Sequence, residues 1–171
     1  MITIDDQLAE IRRRIDRLQA FAQADAAADG SRIRRHLDAL RREEASVLVA
    51  PDQLDEKLGQ LRTRLAIAEK SLVADVSDEW TRFVAAVEDE LRSWDTYLER
   101  LQATVVAKSG NGRERAEAAI ADVRTRRIAV HDRLAQARKN VNGTWHEQRN
   151  HVSEACDELE RKADELPAKV K

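Results

Sequence analysis

Apolar residues in this chain recur at steps of three and four over three long stretches, with few interruptions. The first stretch reads Ile4, Leu8, Ile11, Ile15, Leu18, Ala22, Ala26, Gly30, Ile33, Leu37, Leu40 and Val47. The second reads Leu54, Leu58, Leu61, Leu65, Leu72, Val76, Trp80, Val84, Val87, Leu91, Trp94, Leu98, Leu101 and Val105. The third reads Ala116, Ile120, Val123, Val130, Leu134, Ala137, Val141, Trp145, Val152, Cys156, Leu159, Ala163 and Leu166. Spacing of this kind marks one face of an α-helix, and its persistence is coiled-coil-like. Five Gly and two Pro in 171 residues leave too little turn chemistry for a many-stranded sheet. The reading is all-α, in a single helical-bundle domain spanning 1–171.

Two punctuation marks divide the chain. Pro51 suits the first turn of a helix, and Asp52 after it suits a helix N-terminus. The cluster Ser109-Gly110-Asn111-Gly112 is a turn, with Gly110 free to take a left-handed cap and Asn111 with Glu114 resembling a capping box. Three helices are therefore expected, at about 3–48, 52–108 and 112–166, the last stopped by Pro167. Asp29-Gly30-Ser31 offers an alternative, a turn that makes the first segment a shorter helical hairpin. Asn142-Gly143-Thr144 poses the same question, kink or break, in the third.

Antiparallel neighbours pair positions whose residue numbers have a constant sum. The second and third helices satisfy this with Val105 facing Ala116, Leu101 facing Ile120, Leu98 facing Val123, Leu91 facing Val130, Val87 facing Leu134, Val84 facing Ala137 and Trp80 facing Val141. The first and second do so with Leu8 facing Trp94, Ile11 facing Leu91, Ile15 facing Val87, Ala22 facing Trp80 and Leu37 facing Leu65. The expected object is an elongated antiparallel three-helix bundle, roughly 70–80 Å long at 1.5 Å per residue. Its outline resembles a lengthened spectrin-type repeat. The resemblance covers topology alone: that family places its recurrent core tryptophan in the first helix, whereas Trp80, Trp94 and Trp145 lie in the second and third. It implies no function.

Chemical motifs are scarce. His146-Glu147-Gln148-Arg149-Asn150-His151 separates its histidines by five residues, whereas a zinc-protease helix needs four so that both face the metal. No His has Glu three residues before it, as helical di-iron proteins require. Cys156 falls at a core position, expected against Leu65, and a lone Cys makes no intramolecular disulfide. No phosphate-binding glycine loop or nucleophile elbow is present. The reading is a non-enzymatic protein with no catalytic, cofactor or metal residues and no small-molecule substrate. Arg127, in the apolar seam, is placed to stack on Trp94 and reach Glu90 or Asp95.

Charge is nearly balanced, 30 Lys+Arg against 32 Asp+Glu, so no bulk field favours nucleic acid. It is segregated, however. Residues 78–99 carry Asp78, Glu79, Glu88, Asp89, Glu90, Asp95 and Glu99 against Arg82 and Arg92 alone. Residues 31–42 hold Arg32, Arg34, Arg35, Arg41 and Arg42 against Asp38. Arg34, Arg35 and Arg42 form a candidate face for an anionic polymer or membrane surface, though a solvated face explains them as well. The hairpin of the second and third helices overruns the first, leaving the Leu101/Ile120 and Val105/Ala116 layers without a third helix. With Lys108 and Arg113 beside them, these residues form a candidate tip for a protein partner or for self-association. The N-terminal Met1-Ile2-Thr3-Ile4-Asp5-Asp6 lacks the basic start and apolar run of a secretory leader, so the expected location is cytoplasmic. The functional expectation is a helical scaffold or protein-interaction module, with the anionic-surface binder as alternative.

Overall fold

A computed structural model describes residues 4–24, 31–49, 53–76, 80–107, 109–139 and 145–170. Among these residues the chain is all-helical, with α1 (Ile4–Ala24), α2 (Ser31–Val49), α3 (Leu54–Val76), α4 (Trp80–Val106), α5 (Asn111–Lys139), α6 (Trp145–Asp164) and the short α7 (Leu166–Val170). None of the helices is long and apolar enough to cross a membrane.

The expected helices at 3–48, 52–108 and 112–166 are each two helices packed on one another. Bridging side chains give the directions. Arg12 pairs with Glu44 and Arg41 with Gln19, so α1 and α2 are antiparallel. Lys70 reaches Asp89 at 3.5 Å and Gln60 reaches Thr104 at 3.4 Å, so α3 and α4 are antiparallel. Arg126 with Glu158 and Lys162 with Asp122 do the same for α5 and α6. Arg14 to Glu69 and Arg62 to Gln7 each span 55 residues, which makes α1 parallel to α3. The helices alternate up and down, and the longest, 29 residues, spans about 44 Å. A rod of three long helices is thereby corrected to a shorter, thicker bundle, and the spectrin-like outline goes with it.

The reason lies in residues that a three-helix seam leaves outside. Ile67, Phe83 and Tyr97 fall off that seam, yet all three are buried. A long rod would leave them wet, whereas folding each segment back on itself gives α3 and α4 more than one covered face. At about 25 cal/mol per Å² of apolar surface, two aromatic rings and an isoleucine decide such a choice. Local antiparallel pairing also closes short loops at little entropic cost.

Two apolar clusters result. Leu8, Ile11, Ile15 and Leu18 of α1 meet Ile33, Leu37, Leu40 and Val47 of α2 and Leu58, Leu61, Leu65 and Ala68 of α3. The second cluster joins Ile67 and Ala74 of α3 to the inner faces of α4, α5 and α6, with Leu166 closing it from α7. Ile11 and Ile15 thus belong to a different cluster from Leu91 and Val87, and Cys156 to a different one from Leu65, contrary to the three-helix register. The α4/α5 part behaves differently. Val84, Val87, Leu91, Leu98, Leu101 and Val105 share the second cluster with Ala137, Leu134, Val130, Val123, Ile120 and Ala116. Arg127 joins Asp95 at 2.7 Å across the same pair of helices. The pairings involving Ala22 and Val141 lie outside the described side chains.

Gly110 takes the anticipated left-handed conformation, whereas Asn111, expected to open a capping box with Glu114, is itself the first residue of α5. Gly110 adopts φ 67°, and the Arg113 N–H donates to its carbonyl at 3.0 Å. Pro167 sits in the first turn of α7, where a missing N–H costs nothing.

Candidate functional site: a buried ionic seam

Between the two apolar clusters lies a layer of ionisable side chains from α2, α3, α4 and α6. Its origin is a second stripe on α2. Ile33, Leu37, Leu40 and Val47 turn one face of α2 to α1 and α3. Arg32, Arg35, His36 and Glu43, spaced for a neighbouring face, turn toward α4 and α6. The matching stripe on α6 is Asp157, Glu160 and Asp164, three and four residues apart, beside the apolar Cys156, Leu159 and Ala163. Opposite charges at helical spacing on two parallel helices form the seam.

Its centre is Arg32. Nε donates to Glu160 Oε1 at 2.6 Å, and Nη2 donates to Glu90 Oε1 and Oε2 at 2.7 and 2.8 Å. His36 Nε2 meets Glu160 Oε1 at 2.7 Å. All four residues are at most 4% exposed. The Trp94 indole N–H points to Glu90 Oε1 at 3.4 Å, and Arg35 joins Asp157 at 2.7 Å. Arg32 thus bridges both carboxylates, and the His36 ring adds a second partner to Glu160. This is how charges persist in an interior: paired and hydrogen-bonded.

A second station lies further along the seam. Arg64 of α3 donates to Asp164 at 2.6 Å and lays its guanidinium over the Trp94 ring, 4.5 Å from the centroid. Tyr97 packs edge-on to Trp94 at 5.8 Å and donates its hydroxyl to Glu43 at 2.8 Å. Arg64 Nε and Nη1, Glu43 Oε2 and Glu160 Oε2 are buried without a hydrogen-bond partner among the described residues. For Arg64 the stacked rings supply part of the missing interaction.

The electrostatics separate the two central carboxylates. Burial pushes Glu90 up, and Arg32 only partly offsets it. Burial opposes ionisation of Glu160 too, but Arg32 and His36 together outweigh it and hold this carboxyl at about 2. Glu43 is raised by burial, and burial with the nearby Glu43 charge lifts the Tyr97 phenol well above its ordinary value.

His36, Glu90 and Glu160 offer one imidazole and two carboxylates within 4.8 Å of one another, a donor set that suits a first-row metal ion. Arg32 already stands in that anionic centre, hydrogen-bonded to both carboxylates. A divalent ion there would face a buried guanidinium, so the arrangement does not fit a metal: Arg32 already occupies the cation's place.

The residues singled out from sequence are dispersed. Leu101, Val105 and Ile120 are buried, with Ala116 beside them in the second cluster. The layers expected to lack a third helix are covered, because α6 folds back along α5 and α7 packs on it. Arg113 is exposed and paired with Glu117 at 2.7 Å, and Lys108 lies outside the described residues. The arginine stripe does not form one face. Arg34 and Arg42 are exposed, whereas Arg35 is half-buried against Asp157 and Arg32 is interior. Arg127 reaches Asp95 as anticipated, but the guanidinium stacked on Trp94 is that of Arg64. His146, Glu147 and His151 are all exposed on α6. A groove of about 520 Å³ lies between the start of α3 and the end of α4, lined by Gln53, Glu56, Arg100, Ala103, Thr104 and Ala107.

The seam itself escapes sequence reading because each arginine on a helix has a ready solvent explanation. The available signal was the complementary spacing of Arg32, Arg35 and His36 with Asp157 and Glu160.

No protein-family model matches the chain, and no match is found to a curated protein or to a solved structure.

Proposed function

We propose that the protein is a non-enzymatic helical scaffold that acts by presenting helix surface to a protein partner or to a second copy of itself. The observation that supports this reading is the closure of the seam. Arg32 and His36 of α2, Glu90 of α4 and Glu160 of α6 engage one another in the interior, an arrangement that ties three helices together in one register. Ionisable groups held this way orient a framework rather than turn over a substrate.

The surface best suited to a partner is the outer side of α5. Ile4, Val73 and Val106 are exposed at or near helix ends, but Ile128 lies in the middle of α5 and is 55% exposed. Arg124, one turn earlier on the same face, is exposed as well. An apolar anchor with an arginine beside it is a composition that protein interfaces favour.

The test is affinity capture with the full chain beside its Ile128→Glu variant, at matched stability. A protein retained by the first and lost with the second supports the reading. Identical retention by both, in every extract tried, removes it. A binder of anionic polymer or membrane surface through Arg34, Arg35 and Arg42 is the competing reading. It requires binding that falls steeply with salt and is lost in Arg34→Glu/Arg42→Glu.

A further inference from the structure

The seam and the α3–α4 contact together divide the molecule into two blocks, α1–α3 and α4–α7, held by a single continuous interface. Across it run Arg32 to Glu90 and Glu160, His36 to Glu160, Arg35 to Asp157, Glu43 to Tyr97, Arg64 to Asp164, and the apolar packing of α3 on α4. Only residues 77–79 connect the blocks, and their sequence, Ser-Asp-Glu, contains neither Gly nor Pro. Apolar residues keep helical spacing through the connection, at Leu72, Val76, Trp80, Val84 and Val87. A chain with this pattern can also run straight from α3 into α4.

We propose that a second copy of this chain is a partner for this interface, each copy placing its α4–α7 block against the α1–α3 block of the other. The pairing of α3 with α4 is antiparallel, with Lys70 opposite Asp89 and Gln60 opposite Thr104. Two straightened α3–α4 helices laid side by side about a two-fold axis at the connection reproduce those same oppositions between copies. The interface is then isologous, and every buried ion pair of the seam is remade in trans. A short link between two blocks that close on one another is the arrangement in which such exchange occurs. Exchange between copies does not depend on a different protein docking on α5, so each can fail without the other.

The experiment uses two full-length charge-reversed chains, Arg32→Glu and Glu90→Arg. Alone, each sets like charges together at the centre of its own seam. In an exchanged heterodimer, one seam pairs Glu at 32 with Arg at 90 and the other is native. Equal amounts unfolded together and refolded are expected to give a one-to-one heterodimer of twice 19.4 kDa by light scattering. Its helical content and midpoint of unfolding should exceed those of either chain refolded alone. A mixture that matches the sum of the separate chains overturns the proposal, as does an Arg32→Glu homodimer forming as readily as the heterodimer. The unmodified chain, refolded at high and low concentration, supplies an independent measurement. A dimer yield that rises with concentration and decays only slowly after dilution agrees with exchange, and 19.4 kDa at every concentration refutes it.

Discussion

Replacing Arg32 with alanine removes the one cation that, among the described residues, is hydrogen-bonded to both Glu90 and Glu160, each 1% exposed. The magnitude follows from Glu160, held at about 2 against 4.5 for an unperturbed carboxyl despite its burial. At about 1.4 kcal/mol per pH unit, that difference corresponds to about 3 kcal/mol of preference for the ionised form. Most of it comes from Arg32 and His36, so Arg32→Ala loses a large share and strands a second carboxylate as well. Breaking one side of a buried ion pair costs about 3–5 kcal/mol, in agreement with this figure. A domain of this kind has roughly 5–15 kcal/mol in total, so the variant should be severely destabilised at neutral pH. Urea unfolding followed by far-ultraviolet circular dichroism and by tryptophan fluorescence measures the loss, with Trp94 reporting from beside the seam. The gap between the variant and the unmodified protein should narrow in acid, as the stranded carboxylates take up protons. The quadruple change Arg32→Met/His36→Leu/Glu90→Met/Glu160→Leu should recover most of the loss, because replacing all four members of the centre leaves none of them buried without its partner. A loss below about 1 kcal/mol for Arg32→Ala, or a quadruple variant no better than the single, would refute the account of the seam.

Three further outcomes are expected. Glu160 is depressed in the folded state, so its contribution is complete above 4.5 and disappears as pH falls toward 2; Glu90 and Glu43, being raised, act in the opposite sense, and Glu160→Gln should flatten the acid limb of stability against pH. Ile120, fully buried in the second cluster, should cost about 2–5 kcal/mol as Ile120→Ala in denaturant titration, where a frayed, solvent-exposed tip would cost almost nothing. Gly110→Ala forces a side chain into φ 67° and should cost about 1 kcal/mol, read as a drop in thermal midpoint with the helical spectrum unchanged.

The helical class was legible because apolar spacing and the rarity of Gly and Pro leave little else. The left-handed Gly110 and the antiparallel contact of α4 with α5 were legible too, since a short connection forces adjacent helices into antiparallel contact. The reversal between α3 and α4 was not. Val76 and Trp80 keep helical spacing, and Ser77-Asp78-Glu79 reads equally as the interior of a helix or as the start of a new one. The discriminating clue was the wide apolar face supplied by Ile67, Phe83 and Tyr97, which a narrow three-helix seam cannot cover. The Gly30 and Gly143 alternatives gave warning of the other two reversals, because glycine weakens a helix interior by about 1 kcal/mol. The seam was hidden for another reason. Whether Arg32 faces water or Glu90 depends on residues far along the chain, and no local pattern carries that information.

Because α3 supplies Leu58, Leu61, Leu65 and Ala68 to one oily interior and Ile67 and Ala74 to the other, neither half of the molecule has a complete wall without it. Melting of either half therefore strips the second of its lining. Heat should be absorbed in one sharp event rather than in two, and the chain behaves as an indivisible thermal unit despite its paired interiors.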